Sequence, residues 1–94
     1  MLDVAYRLVV VPGAEDDVWA ALRVSADASR SEPGVKWFEA FRSEEDPGTL
    51  LVVERYLDAE AYEFHRATAH YAAWKAASAG RIASSERFIG ARSS

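Results

Sequence analysis

Residues 35–57, VKWFEAFRSEEDPGTLLVVERYL, contain two strand-like runs separated by a short polar stretch. The runs Val35 to Ser43 and Thr49 to Leu57 are rich in β-branched and aromatic residues, which are typical of strands. The stretch between them ends in Pro47-Gly48, and such a pair favours a turn because proline presets one dihedral and glycine accepts a positive φ. We therefore predict a β-hairpin, and the elements on either side of it determine the fold class.

A strand and a helix are predicted before the hairpin. Asp3 to Val11 (DVAYRLVVV) is short and rich in β-branched residues, as expected of a strand. After Pro12-Gly13, apolar residues recur at helical spacing, and acidic residues occupy the first turn, where the helix dipole favours them. This pattern predicts a helix over residues 15–31, which Glu32-Pro33-Gly34 ends.

A helix in two pieces is predicted after the hairpin. Asp58 is a suitable N-cap for a helix that begins at Ala59. That helix is expected to break near Ala67, where Thr68 can cap a second piece that runs to about Ser78.

The last predicted element is a fourth strand over Ile82 to Ile89. The complete order is βαββαβ, the split βαβ arrangement of ferredoxin-like folds. The sequence therefore predicts one α+β domain over residues 1–94, in which a four-stranded antiparallel sheet carries its helices on one face.

The other face of the sheet needs a cover, because the first and third strands are apolar on both faces. Val9, Val10 and Val11 are consecutive, as are the apolar residues 50–53, whereas a strand with one solvated face should alternate. We expect a homodimer packed sheet to sheet. Six charged residues lie on the strands: Arg7, Glu39, Glu54, Arg55, Glu86 and Arg87. We expect them to pair within or across that interface, since unpaired buried charges are costly. Alternatively, they lie in water at the strand ends.

Composition and charge exclude several classes of protein. The net charge is −4 and the arginines are spread among acidic residues, which argues against a nucleic-acid-binding surface. There is no cysteine, so disulfide frameworks, thiolate metal sites and cysteine nucleophiles are excluded. No apolar run approaches the ~20 residues of a membrane span and no signal peptide is visible, so we expect a cytoplasmic protein without membrane contact.

His65 and His70 do not form a metal-binding pattern in the sequence. Residues five apart point about 140° from each other on an ideal helix, and the neighbouring carboxylate, Glu63, lies on the wrong side of His65. No metal or other cofactor is therefore expected. The serines lack a nucleophile-elbow pattern and the five glycines are scattered, so neither covalent catalysis nor a phosphate-binding loop is predicted.

His65 is the candidate proton acceptor. Ala61, Tyr62, His65 and Ala69 fall on one helical face, whose small alanines leave room for a pocket between helix and sheet. A histidine in such a pocket can take a proton from a phenol or hydroquinone. Alternatively, it is structural and bonds a backbone carbonyl or a tyrosine hydroxyl. We interpret His70, in the first turn of the second helical piece, as a helix-packing residue.

Residues 29–74, SRSEPGVKWFEAFRSEEDPGTLLVVERYLDAEAYEFHRATAHYAAW, carry an ordered set of short motifs. Over residues 3–76 the sequence resembles the antibiotic biosynthesis monooxygenase domain family, including its quinol monooxygenase branch. The resemblance rests on the order of these motifs: Glu32-Pro33-Gly34, Phe38-Glu39, Glu54-Arg55-Tyr56, His65 and Thr68-Ala69-His70-Tyr71.

The resemblance implies a dimeric α+β barrel and an enzyme that works without metal or flavin. Its activity would be the oxidation of a hydroxylated aromatic, quinol or polyketide-type substrate with dioxygen. By this resemblance His65 is the catalytic base, while Tyr6 faces the same pocket and holds the substrate oxygen together with Tyr62. The other substrate-binding residues that it implies are aromatic or histidine side chains: Phe38, Tyr56, His70 and Trp74.

A related branch of the family degrades haem, and the resemblance does not extend to its functional residues. Tyr6, His65 and Lys75 stand where that branch carries Asn, Trp and His, and the chain has no asparagine at all. Haem degradation is therefore not expected. Two other activities remain open: a non-catalytic dimer that binds small aromatic ligands, and a polyketide cyclase or isomerase that enolises its substrate without oxygen.

Overall fold

The elements follow the predicted order. The computed structural model describes residues 1–93. Its elements are β1 (Leu2–Val10), α1 (Glu15–Ser29), β2 (Val35–Arg42), β3 (Thr49–Tyr56), α2 (Ala59–Arg66), α3 (Ala69–Ser78) and β4 (Ile82–Gly90). This order confirms the βαββαβ arrangement, with the second helix divided into α2 and α3. Within residues 1–93, no helix is long and apolar enough to span a bilayer.

The four strands form one antiparallel sheet in the order β2-β3-β1-β4. Backbone pairing sets Tyr6 of β1 opposite Val52 of β3 and Arg87 of β4, and it sets Phe38 of β2 opposite Glu54 of β3. Directly opposed residues project from the same face of a sheet. The helices cover the face that carries these five residues, because Val52 and Phe38 are buried in the core.

The main core lies between the covered face and α1. Val18, Leu22 and Ala26 form one stripe of α1 and are buried together with Leu50 and Val52 of β3. Burying an aliphatic side chain of the size of valine or leucine contributes roughly 1.5–3 kcal/mol. This stripe therefore fixes α1 against the sheet, while α2 and α3 cover the end of the sheet where the polar residues lie.

The opposite, outer face of the sheet is apolar and open in the single chain. Trp37, Phe41, Leu51 and Phe88 are exposed by 42 to 65%, although each has a bulky apolar side chain. A contiguous patch of this kind is typical of an interaction surface. The expectation that this face packs against a second copy therefore keeps its physical basis.

Ion pairs on the sheet are mostly made within the chain. The Arg55 guanidinium donates to both carboxylate oxygens of Asp3, at 2.6 and 2.9 Å, and also lies over the ring of a neighbouring tryptophan. Arg7 lies 3.4 Å from Glu86. Glu39 accepts from an arginine just beyond α1 at 3.3 Å. These pairs explain how charged side chains are tolerated beside an apolar face.

The prediction that Glu54 and Arg87 pair within or across a sheet-to-sheet interface is wrong. Both residues lie on the helix-covered face, because the register places Glu54 opposite Phe38 and Arg87 opposite Tyr6. Glu54 is only 4% exposed. Charge alone favoured a solvent-facing or interfacial position for Glu54, whereas the alternation of β3 turns it inward.

The turn between α1 and β2 lies directly against α2. A Cβ atom added at Gly34 would lie 2.5 Å from the Cβ of Ala61, so the close approach requires glycine. The Leu57 N–H donates to the Gly34 carbonyl at 2.8 Å. This contact holds the Glu32-Pro33-Gly34 turn beside α2, and it thereby brings Glu32 close to the helix that carries His65.

Substituting alanine for Gly34 is expected to lower the free energy of unfolding by about 1–3 kcal/mol, as overpacking does in a close-packed interior. Two backbone segments must separate to admit the methyl group, since the obstructing atom is a Cβ and not a flexible side-chain end. Urea unfolding followed by circular dichroism measures the change. Gly48→Ala is the matched control, because its new Cβ meets its nearest neighbours at 3.5 Å. Equal stability of the two variants would contradict the packing argument.

Candidate functional site

A cavity of about 240 Å³ lies between the covered face of the sheet and the helices. Five of the seven residues predicted for the site line it: Tyr6, Phe38, Tyr62, His65 and Trp74. Aromatic rings form much of its wall, and polar groups enter it from β1, β3 and α2. This combination of an apolar wall and a few convergent polar groups is typical of a small-molecule site.

Tyr56 and His70 do not line this cavity, although both were predicted to contact the substrate. Tyr56 is fully buried behind the wall, where its ring lies 5.2 Å from that of Tyr62 and 5.6 Å from that of His65. His70 points instead toward the turn after α1, where its Nε2 lies 2.6 Å from a carboxylate oxygen of Glu32. Both residues support the wall from behind.

The two histidines converge on one carboxylate. His65 Nδ1 lies 2.8 Å and His70 Nε2 lies 2.6 Å from the same oxygen, Oε2 of Glu32. The prediction that they face different sides is therefore wrong. The angle between the histidines was taken from one continuous ideal helix, whereas α2 ends at Arg66 and α3 begins at Ala69, and the change of direction at the predicted break brings the rings together.

The helix break is stabilised by Thr68. Its hydroxyl donates to the carbonyl of His65 at 2.7 Å and accepts from the N–H of Tyr71 at 3.2 Å. An N-cap of this type contributes on the order of 1 kcal/mol. Because His65 and His70 flank the break, the cap also fixes the separation of the two imidazole rings.

Glu32 is the residue that holds the site together and that the sequence argument missed. It is 7% exposed, and its second oxygen, Oε1, is buried without a hydrogen-bond partner among residues 1–93. A carboxylate buried to this extent is rare unless it is paired. The available sequence signal was the Glu32-Pro33-Gly34 turn, which served as a helix stop and as one of the family motifs without assigning Glu32 to the site.

The geometry assigns a tautomer to His65. A carboxylate oxygen only accepts, so the 2.8 Å contact with Glu32 places the proton on Nδ1. Within residues 1–93, no group bonds the other ring nitrogen, Nε2, and the ring lines the cavity. The rings of Phe38 and Tyr71 lie 5.5 and 5.3 Å away. Glu32 thus fixes the orientation of the His65 ring and leaves Nε2 as the ring nitrogen available to a ligand in the cavity.

A pair of tyrosine hydroxyls lies on the same cavity wall. The hydroxyls of Tyr6 and Tyr62 are 2.8 Å apart. Burial, and then the hydrogen bond to Tyr62, raise the pKa of Tyr6 above its ordinary value. Arg66 lies over the Tyr62 ring at 5.4 Å, and interaction with the Tyr62 hydroxyl raises the pKa of Arg87. Tyr6 therefore remains neutral and can donate a hydrogen bond to a ligand oxygen.

Glu54 adds a second carboxyl group to the cavity, and the sequence argument did not assign it to the site. Burial raises the pKa of Glu54 to about 7, although the hydrogen bond from the Tyr56 hydroxyl opposes the shift. The same burial, followed by the nearby Glu54 charge, raises the pKa of Tyr56. The available signal was the alternation of β3, in which Leu50, Val52, Glu54 and Tyr56 occupy one face.

The sequence matches one known family. The profile described as antibiotic biosynthesis monooxygenase matches residues 1–77. The chain belongs to the antibiotic biosynthesis monooxygenase family. No curated protein matches it.

Solved structures agree with the family fold. A candidate antibiotic biosynthesis monooxygenase from Nitrosomonas europaea is 24% identical, with a TM-score of 0.95 and all of both chains covered. A protein from Pseudomonas aeruginosa is 19% identical, with a TM-score of 0.93 over 99% of this chain and 94% of its own. A third structure, described as an antibiotic biosynthesis monooxygenase, is 25% identical, with a TM-score of 0.88 over 98% of each chain. The ferredoxin-like fold of this family member is thereby shown.

Proposed function

We propose that this family member is a monooxygenase that oxidises a small hydroxylated aromatic or quinol with dioxygen and needs no cofactor. The observation that carries the proposal is the free Nε2 of His65 in an aromatic-lined cavity, with Glu32 bonded to Nδ1 on the other side of the ring. A carboxylate in that position favours the proton-accepting tautomer and stabilises the imidazolium that forms.

The reaction begins with proton transfer. His65 Nε2 takes the proton of a substrate hydroxyl, and the Tyr6–Tyr62 hydroxyl pair donates a hydrogen bond to the resulting phenolate oxygen. The electron-rich ring then reduces dioxygen. For a hydroquinone, one oxygen atom forms a new bond to a ring carbon and the other leaves as water, so that hydroquinone and dioxygen give a hydroxyquinone and water. Atoms and electrons balance without another reductant.

The size of the cavity favours a substrate with one aromatic ring. An apolar cavity of about 150 Å³ accepts benzene, and the cavity here measures about 240 Å³. That volume accommodates one ring with substituents, whereas the larger polyketides fit only if the wall moves. Phe38 and Trp74 can contact the ring faces and exclude water from the reacting centre.

Oxygen consumption by chelator-treated protein with a panel of single-ring hydroquinones tests the proposal. The expected result is enzyme-dependent uptake of one dioxygen per hydroxyquinone formed, and no reaction under nitrogen. Substrate loss that continues under nitrogen would favour the cyclase or isomerase alternative. Binding with a spectral shift but without turnover would favour the ligand-binding alternative, and both results would contradict the oxygenase.

We also propose that the protein works as a homodimer joined through the outer faces of its sheets. The exposed Trp37, Phe41, Leu51 and Phe88 support this arrangement, since burying them removes a large apolar patch from water. The partner's sheet would complete the barrel without entering the cavity, which lies on the helix-covered face.

Placing arginine at Leu51 is expected to convert the dimer to a monomer, because a guanidinium at the centre of a sheet-to-sheet contact is buried without a partner. Light scattering should give a mass near 10.4 kDa for the variant and twice that for wild type. Val24→Arg is the matched control, because Val24 is 70% exposed on α1. A wild-type mass near that of one chain would contradict the dimer.

A further inference from the structure

We propose that Glu32, His65 and His70 form a binding site for a divalent transition-metal ion of the zinc class. Their ligand atoms, one carboxylate oxygen and two imidazole nitrogens, all lie within 4.8 Å of one another. Two histidines and one carboxylate are a ligand set that zinc uses in proteins, with a fourth position left for water. The site was not expected from the sequence, because the two histidines were placed on different helix faces and Glu63 was the carboxylate considered, whereas the third ligand comes from the turn after α1.

The buried environment supports an ion at this position. Glu32 is 7% exposed and its Oε1 has no partner among residues 1–93, so one oxygen of a buried carboxylate has an unused lone pair. Leaving such a buried group without a partner destabilises the folded protein. A cation bound to this carboxylate would supply a further partner for its negative charge, in addition to the two imidazole contacts.

The distances require a small adjustment. Zinc bonds of about 2.0–2.2 Å place tetrahedral ligand atoms roughly 3.3 Å apart. The imidazole nitrogens now lie 2.8 and 2.6 Å from Glu32 Oε2, so these separations must grow by about 0.5–0.7 Å. Rotation of the carboxylate about its terminal torsion, which is soft, can supply this change. The Thr68 cap keeps both histidine-bearing helix ends in place.

Binding a metal ion and accepting a proton from the substrate would be alternative states of the His65 imidazole. A metal on Nδ1 of His65 takes the place of the proton shared with Glu32, and the neutral ring then carries its proton on Nε2. The metal-loaded form could donate a proton into the cavity but could not accept one. The binding claim itself does not depend on the proposed oxygenase activity, because it is tested without substrate.

Calorimetric titration of chelator-treated protein with Zn²⁺ tests the site, and Co²⁺ absorption reports the coordination number. We expect one equivalent of Zn²⁺ to bind to wild type. We expect affinity to fall by more than about 100-fold in Glu32→Gln and His70→Ala, since loss of a direct ligand exceeds the effect of losing its support. Mg²⁺ should bind weakly, because it prefers oxygen ligands.

Two features make the result decisive. The chain has only two histidines, so histidine-dependent binding cannot come from elsewhere. Glu63→Gln is the matched control, because Glu63 lies on α2 with its side chain 69% exposed, and it should bind Zn²⁺ like wild type. His70 is partly exposed, with 24% of its side chain accessible, so His70→Ala remains testable if Glu32→Gln fails to fold. Absence of Zn²⁺ binding to wild type, or equal binding to folded His70→Ala, would overturn the proposal.

Discussion

Replacing His65 with alanine is expected to lower hydroquinone turnover by about 10²–10⁴-fold, the usual contribution of a general base. Among residues 1–93, the His65 imidazole is the one group on the cavity wall that combines an unbonded ring nitrogen with a contact to a buried carboxylate. Tyr6 cannot replace it, since burial keeps that hydroxyl protonated. Initial rates of oxygen consumption by metal-free wild type and His65→Ala measure the effect.

Phe64→Ala is the matched control for this comparison. Phe64 precedes His65 on α2 but points to solvent, with 59% of its surface exposed, and it does not line the cavity, so truncating it leaves the cavity unchanged. Circular dichroism should show that both variants are folded. If His65→Ala turned over substrate as fast as Phe64→Ala, the assignment of His65 as the base would be wrong.

Replacing Glu54 with glutamine is expected to remove most of a pH-dependent loss of stability. Burial raises the pKa of Glu54 from 4.5 to about 7, so the folded state holds this proton more tightly than the unfolded state. The contribution of this tighter proton binding to the free energy of unfolding is fully present below about pH 4.5, and it is lost as the pH rises through about 7. The shift corresponds to about 3 kcal/mol of unfolding free energy.

Urea unfolding at pH 5 and pH 8 measures this difference. From pH 5 to pH 8, the free energy of unfolding should fall by more in wild type than in Glu54→Gln. Subtracting the two changes isolates the effect of Glu54 from that of the other titrating groups. Glu39→Gln, at a side chain 47% exposed on β2, should behave like wild type. Parallel pH profiles for wild type and Glu54→Gln would contradict the buried, protonated carboxyl.

Short-range sequence signals were sufficient to predict the fold. The Pro47-Gly48 pair marked the hairpin turn, and the caps Asp58 and Thr68 marked the two helix starts. The structure shows the expected cap bonds, from Ala61 N–H to Asp58 at 2.8 Å and from Tyr71 N–H to Thr68 at 3.2 Å. These interactions join residues three apart, so they can be recognised without knowledge of the tertiary structure.

The site could be predicted only in part, because its decisive contacts join distant residues. Tyr6, Tyr62 and His65 line the cavity as predicted, since strand and helix periodicity determines which face each occupies. Glu32 lies 33 positions from His65 and 38 from His70, and no local pattern connects them. The position of Glu54 was predicted wrongly for a different reason, because its charge favoured solvent or an interface while the alternation of β3 places it on the covered face.

The central claim is that Glu32 orients His65 so that a free Nε2 faces a phenol in the cavity. Long-range proton–nitrogen NMR of the imidazole rings in metal-free protein tests it most directly, because the chain has only two histidines to assign and His70→Ala removes one of them. The account predicts that His65 carries its proton on Nδ1 and that a bound hydroquinone shifts the Nε2 resonance. A proton on Nε2, with no response of that nitrogen to hydroquinone, would contradict it.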